Sequence, residues 1–367
     1  MKRPKILWGV CGIGLGHTHR QMPLISHFAK TCDIVIFGYG NSRAFFAEHF
    51  AGHPHVRVEE VAVPYFVGNP RGLDFRATAA HPSNRQDYAA INARAMAQAE
   101  DALKCPNLVI TDYEPVSAQY AYACNAPLMT LDQQSKYLCA DVPERLADTG
   151  TLDEIMRLRM FFPRAEARLA CSFFRLEQKA GAPEKVRLIP PILSPAILRL
   201  RHRPGSRRGI LVYLSEQMRD AEERQRLFDL LGREDRYRFD VFLPAGIAGA
   251  STAPHVTVFR HGDPAFHGML AACHGIVSTA GHSLLSEAMH LGIPVLALPL
   301  KLYEQQMNAH AIAGGGFGLS GGRLSVALLR RFVDNLPGYA EAIRADRNIL
   351  LRGNGELEAR KIIEKWL

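Results

Sequence analysis

No apolar run in this chain approaches the ~20 residues that a helix needs to cross a bilayer, which excludes a helical membrane span. The seven cysteines, Cys11, Cys32, Cys105, Cys124, Cys139, Cys171 and Cys273, are odd in number, scattered and without a Cys-x-x-Cys pair. That excludes a disulfide framework and leaves reduced thiols. Fifteen histidines contain no His-Glu-x-x-His or comparable spacing, so no structural or catalytic metal is expected. The opening MKRPKILWGV lacks a secretion cleavage site and runs into a glycine loop, which points to the cytoplasm. Basic residues exceed acidic ones, 44 to 36, for a formal net charge of +8. No nucleic-acid module or aromatic platform accompanies the excess, so an anionic small substrate is favoured over nucleic acid. One stretch, Arg157 to Arg175 (RLRMFFPRAEARLACSFFR), interleaves arginine with aromatics. It reads as a buried helix flanked by solvated arginines, with docking at the inner face of the membrane as the alternative.

A chain of 367 residues exceeds one compact core and fits two domains of ordinary size. Up to about residue 190, short apolar runs alternate with helical patterns: Ile6 to Val10, Ile34 to Phe37, Val56 to Val63, Leu108 to Ile110, Leu128 to Leu131 and Val186 to Ile189. Such alternation predicts a parallel sheet with crossover helices. Tyr65 to Arg85 is rich in Gly, Pro, Asn and Arg and reads as a long loop of the kind that sets acceptor specificity. Residues 191–207, arginine-rich and broken by proline and glycine, read as a linker. Beyond it the alternation restarts at Gly209 to Leu214 and continues at Phe239 to Leu243, Val256 to Phe259, Gly275 to Ser278 and Val295 to Leu298. The reading is therefore α/β, with a first doubly wound domain over 1–190, a second over 208–350, and a closing helix within 351–367.

The richest stretch is Ser278 to Ala309, STAGHSLLSEAMHLGIPVLALPLKLYEQQMNA, in which a strand runs into a helix opened by Gly281. The first amides of a helix have no internal partners and lie at the positive end of the helix dipole, so a phosphate fits there without a metal. Gly281 lets the backbone approach, and Thr279, His282 and Ser283 offer side-chain donors. Glu287, one turn on, is placed to accept from ribose hydroxyls, and Glu304 and Gln305 to meet sugar hydroxyls.

A second glycine-rich turn, Cys11 to His17, follows the strand Lys5 to Val10 and precedes a helix from about His19. A dinucleotide fingerprint would require Gly-x-Gly-x-x-Gly and an acid about 20 residues on. Here the third glycine, Gly16, comes one position early, and the next strand, Asp33 to Phe37, ends in Gly38-Tyr39-Gly40-Asn41 with no carboxylate.

Gly281, Ser286-Glu287, Gly292-Ile293-Pro294 and Gln305 together resemble the nucleotide-sugar signature of UDP-dependent glycosyltransferases with the GT-B fold. Where plant members carry a phosphate-binding histidine this chain has Thr279, and His282 is the substitute donor. The whole chain resembles such enzymes, in particular the group related to bacterial undecaprenyl-muramoyl-pentapeptide N-acetylglucosaminyltransferases (family 28, family 1-like). The resemblance implies two Rossmann-like domains facing a cleft, inverting transfer without a metal or cofactor, and a terminal helix that crosses back to the first domain. It also implies that His17, in the Gly16-His17 step, is the catalytic base. Asp112, at the end of Val109-Ile110-Thr111-Asp112-Tyr113, is then its partner, by the logic of a carboxylate that fixes an imidazole. Gly14, Gly16 and Ser215 would approach the donor, and Phe259, Arg260 and His261 would cradle the uracil. Asp132 and Gln133 would meet the acceptor, whether small molecule, glycan or lipid-linked. Two other readings share the pocket: a UDP-N-acetylglucosamine 2-epimerase-like enzyme, which needs no acceptor, and a nucleotide-sugar-binding protein without catalysis.

Overall fold

The computed structural model describes residues 2–65, 68–69, 72–73, 75–141, 149–182, 185–205, 208–214, 220–244, 247 and 251–367. The chain divides into two compact units: Met1–Ser172, Leu176–Ser194 and Gly353–Leu367 form the first, Phe173–Arg175 and Pro195–Arg352 the second.

The first unit opens with β1 (Lys5–Val10), α1 (Gly16–Phe28), β2 (Asp33–Gly38), α2 (Gly40–His49) and β3 (Val56–Glu60). There follow β4 (Gly68–Asn69), β5 (Gly72–Leu73), α3 (Phe75–Ala80), α4 (Tyr88–Leu103), β6 (Leu108–Asp112), α5 (Pro115–Cys124), β7 (Leu128–Asp132), α6 (Thr149–Phe161), β8 (Ala167–Cys171) and β9 (Arg187–Ile189). Its main sheet runs β3-β2-β1-β6-β7-β8-β9, parallel throughout, with β4 and β5 paired antiparallel apart from it. Helices cover both faces, so the strands are apolar on both sides. Ile6, Trp8 and Val10 enter one core with Ile34, Ile36, Ile110 and Leu131, while Leu7 joins Val35, Phe37 and Val109 in the other. This is the period of two of a pleated strand. Gly9 breaks the apolar run of β1 because a Cβ there would stand 2.1 Å from Ser117 Oγ.

The second unit comprises α7 (Pro195–Arg199), β10 (Gly209–Tyr213), α8 (Ala221–Leu231), β11 (Arg238–Leu243), β12 (Val256–Arg260), α9 (Phe266–Ala272) and β13 (Gly275–Ser278). It continues with α10 (His282–Leu291), β14 (Val295–Ala297), α11 (Tyr303–Gly314), β15 (Gly318–Ser320), α12 (Val326–Asp334) and α13 (Leu336–Ala345). Its sheet, again parallel, runs β12-β11-β10-β13-β14-β15. The last helix, α14 (Gly355–Ile363), belongs to the first unit, where Ala359 and Ile363 enter the core of Trp8, Leu24 and Phe28. In each sheet the strand order reverses once, between β1 and β6 and between β10 and β13. The carboxyl ends at such a reversal are where doubly wound sheets bind ligands.

Three expectations are corrected. The helix expected from about His19 begins at Gly16, with Leu15 as its N-cap and Gly14 at φ 68° turning the chain into it. Arg157 to Arg175 is not one helix: α6 ends at Phe161, before Pro163, and Ala167–Cys171 is the buried strand β8. The expected loop Tyr65 to Arg85 holds β4, β5, α3 and a 3₁₀ turn at Pro82–Asn84 among its described residues.

Candidate active site

At the reversal of the first sheet, β1 and β6 end side by side, Val10 opposite Asp112, and the Cys11 amide donates to the Asp112 carbonyl at 3.0 Å. The chain after β1 turns tightly. Gly12 is required because a Cβ there would fall 1.8 Å from the Tyr39 carbonyl oxygen. The turn delivers His17 in the first turn of α1, where its Nδ1 lies 2.8 Å from Asp112 Oδ1. Asp112 is fully buried, while the His17 side chain keeps 15% of its surface open. In the neutral ring, an Nδ1 hydrogen given to the carboxylate leaves the lone pair on Nε2, the arrangement a general base needs.

Asp112 holds more than the histidine. Arg20 grips it with a fork, Nη2 to Oδ1 at 2.7 Å and Nε to Oδ2 at 3.0 Å. Gln21 Nε2 donates to Oδ2 at 2.7 Å and to the Leu131 carbonyl at 2.8 Å, and its Oε1 accepts from Trp8 Nε1 at 3.0 Å. Burial alone would push the Asp112 carboxyl up, but Arg20 and His17 hold it at about 2. For His17, burial opposes the charged ring, yet Cys11 and Asp112 more than offset it and raise the ring to about 10. The Cys11 thiol also touches Tyr39 Oη at 3.2 Å, and His17 draws it below its ordinary range against the effect of burial. Tyr113, held at φ 56°, stacks its ring on His17 at 6.4 Å.

At the reversal of the second sheet, Tyr213 of β10 lies opposite Ser278 of β13. Beyond Ser278 the chain passes through Ala280 at φ 64° and enters α10 with Gly281 as an N-cap that makes no side-chain bond. Asn308 Nδ2 donates to the Ala280 carbonyl at 2.9 Å and fixes that turn from α11. Glu287, half-buried one turn into α10, has its carboxyl pushed up to about 7 by burial. Thr279 is buried at the entrance and Ser283 half-buried in the first turn.

The His282 ring is buried against Phe173 at 5.7 Å, with Nδ1 3.5 Å from Ser286 Oγ. Asp132 and Gln133, expected to meet the acceptor, are likewise internal. Both Asp132 oxygens accept from Ser135, each at 2.7 Å, and Gln133 Oε1 accepts from Lys136 Nζ at 3.1 Å. Gln305 Oε1 accepts from the Leu300 amide at 2.9 Å, and Glu304 is half-buried in the first turn of α11. Phe259 stacks on Phe242 at 5.2 Å, Arg260 is exposed, and His261 lies flat on Tyr213 at 4.0 Å, so the carboxyl ends of β10 to β12 share an aromatic cluster. Gly14 is exposed and Gly16 starts α1. Ser215 lies outside the described residues.

Sequence reading missed Cys11, Arg20, Gln21, Tyr39 and Tyr113. The signal for Arg20 was its spacing of three from His17, which places both on one helix face once α1 starts at Gly16.

The family described as Glycosyl transferase family 1 matches residues 4–337. No curated protein matches the chain by sequence. Among solved structures it is similar to the glycosyltransferase of kitacinnamycin, at 17% identity and TM-score 0.67 over 100% of both chains. The calicheamicin glycosyltransferase CalG4 aligns at 17% identity and TM-score 0.65, over 100% of this chain and 99% of that one. UGT2 of Phytolacca americana, solved with UDP-2-fluoro-glucose and pterostilbene, aligns at 14% identity and TM-score 0.67 over 100% of both. Their shared architecture is the GT-B fold, with two Rossmann-like units.

Proposed function

The chain belongs to glycosyl transferase family 1, and from that premise we propose that it transfers a sugar from a UDP-sugar to an acceptor hydroxyl with inversion and without a metal. That it is a glycosyltransferase follows from the family; donor, stereochemistry and acceptor are the proposal. The observation that carries it is the His17–Asp112 pair, Nδ1 to Oδ1 at 2.8 Å. His17 would accept the acceptor's hydroxyl proton on Nε2 as that oxygen bonds to the anomeric carbon. The bond from that carbon to the diphosphate breaks, and UDP leaves with its electron pair. The positive end of the α10 dipole would meet the charge that develops on the leaving diphosphate, in place of a cation. Ile13 and Leu15, exposed at 56% and 45% beside His17, offer an apolar surface, which favours a small apolar acceptor over a glycan. Kinship to the muramoyl-pentapeptide enzymes would instead make the acceptor lipid-linked. Among the described residues no helix is long and apolar enough to cross a membrane.

The test is incubation with UDP-glucose or UDP-N-acetylglucosamine and a panel of phenolic and aliphatic alcohols, followed by NMR of the product. Acceptor-dependent UDP release with an inverted anomeric centre is expected. A product of retained configuration, or epimerised donor formed without acceptor, would replace this reading.

Two further results are expected. Glu287→Gln should weaken UDP binding by about ten- to a hundredfold, the worth of hydrogen bonds to a charged acceptor. Because burial holds this carboxyl at about 7, wild-type UDP affinity should fall as pH drops through that value, and the variant should lose the dependence. Titration calorimetry at several pH values reads both. A ring raised to about 10 is protonated at neutral pH, so kcat/KM should climb with pH well into the alkaline range. Cys11→Ser removes one of the groups that raise it, and the acidic limb should then move to lower pH by roughly a unit. A pH–rate profile checks this; an unmoved limb would show that Cys11 does not act on the ring.

A further inference from the structure

Asp112 accepts from three side chains, and the strongest grip on it is not that of His17. Arg20 is 6% exposed, one turn beyond His17 on α1, and holds both carboxylate oxygens at 2.7 and 3.0 Å. The same Nη2 stands 2.9 Å from His17 Nδ1. With the Nδ1 hydrogen committed to Asp112, that contact is not a second hydrogen bond but a cationic group held against the ring. Among the described residues, the other groups that face His17 are Cys11 from the turn after β1, Asp112 of β6 and Tyr113 just after it, with Tyr39 ahead of α2 bound to Cys11. Arg20 itself also faces Asp132 of β7 and Cys171 of β8. Cys11 and Asp112 both favour a protonated ring, and among these groups Arg20 brings a positive charge against it.

We propose that Arg20 is a positioning residue for the base: its fork fixes the plane of the Asp112 carboxylate toward Nδ1, and its charge offsets that carboxylate so that His17 can release its proton between turnovers. A buried carboxylate paired with an imidazole alone would trap the proton on the ring. Sharing the carboxylate with a guanidinium weakens the trap while keeping the tautomer. Lysine cannot reproduce the geometry, because a single ammonium does not span two oxygens in one plane.

The proposal rests on the reading of His17 as base, so its test uses a readout that does not need catalysis. The His17 ring is titrated by NMR in the full-length wild type, Arg20→Met and Arg20→Lys, and kcat/KM is measured across the same pH range. Arg20→Met is expected to raise the ring's midpoint by about a unit or more and to lower kcat/KM at a fixed pH below the midpoint by about tenfold per unit. Arg20→Lys is expected to keep the midpoint within about half a unit, since the charge stays, yet to lower kcat about tenfold because the fork is gone. In both variants UDP affinity stays at the wild-type value. A midpoint in Arg20→Met that is unmoved or lower overturns the proposal. If that variant does not fold, Arg20→Lys decides: unchanged kcat overturns the proposal and the expected loss sustains it. Failure of the base reading looks different, with transfer persisting in His17→Ala while the titration midpoints still respond to Arg20.

Discussion

His17→Ala is expected to lower kcat by about 10²- to 10⁴-fold, the range that a positioned general base supplies, with UDP affinity unchanged within about twofold. The loss should fall on kcat because the ring meets the acceptor's proton only as the new bond forms. Folding should be little affected. The His17 side chain is partly open, and Asp112 keeps its three contacts to Arg20 and Gln21 when the imidazole is gone. The variant should therefore melt near the wild type, which separates loss of chemistry from loss of structure. The alkaline rise of kcat/KM should disappear with the ring, since Asp112 at about 2 does not titrate in that range. Steady-state kinetics across pH and calorimetry with UDP are the measurements. Turnover within about threefold of the wild type would remove His17 from the reaction.

Much of this site was legible because it sits where strands end. Strands buried on both faces show as apolar runs, and β1, β6 and β13 were read to within two residues. The tight turns after β1 and β13 declare themselves by glycine. What was not legible depends on which way a side chain turns. His282 reads as a donor at a helix mouth, yet at that register its ring meets Phe173 in the core. Asp132 reads as an acid at a strand end, and its carboxylate is consumed by the next turn through Ser135. Arg20 drew no reading because a buried guanidinium is rare, and the carboxylate across on β6 makes it tenable. The strand β15 escaped notice for another reason. Gly318-Leu319-Ser320 contains no apolar run, and its glycine is there because a Cβ would fall 1.8 Å from the Val295 carbonyl oxygen of β14.

Asp112→Ala is expected to cost the fold more than any other change at the site. The carboxylate is fully buried and neutralises a guanidinium that is itself 6% exposed. Its removal leaves Arg20 charged in the interior with the fork empty, and Gln21 Nε2 loses one of its two acceptors. Breaking a buried ion pair from one side costs about 3–5 kcal/mol, a large share of the roughly 5–15 kcal/mol that stabilises a domain. For a unit of this size that corresponds to a fall in melting temperature of about 10 °C or more. Asp112→Asn separates the chemistry from this loss. Its shape is retained, but one oxygen becomes a donor facing donors, and the ring can no longer rely on a carboxylate for its tautomer. Plateau turnover should drop on the order of 10⁴-fold by analogy with the same change in a Ser-His-Asp triad. The acidic limb should move the opposite way, to lower pH, because Asp112 is one of the charges that raise His17. A calorimetric melt of Asp112→Ala and a pH–rate profile of Asp112→Asn read the two effects independently. A melt unchanged in the first would mean that Arg20 finds another partner, and a limb unmoved in the second would mean that the carboxylate does not act on the imidazole.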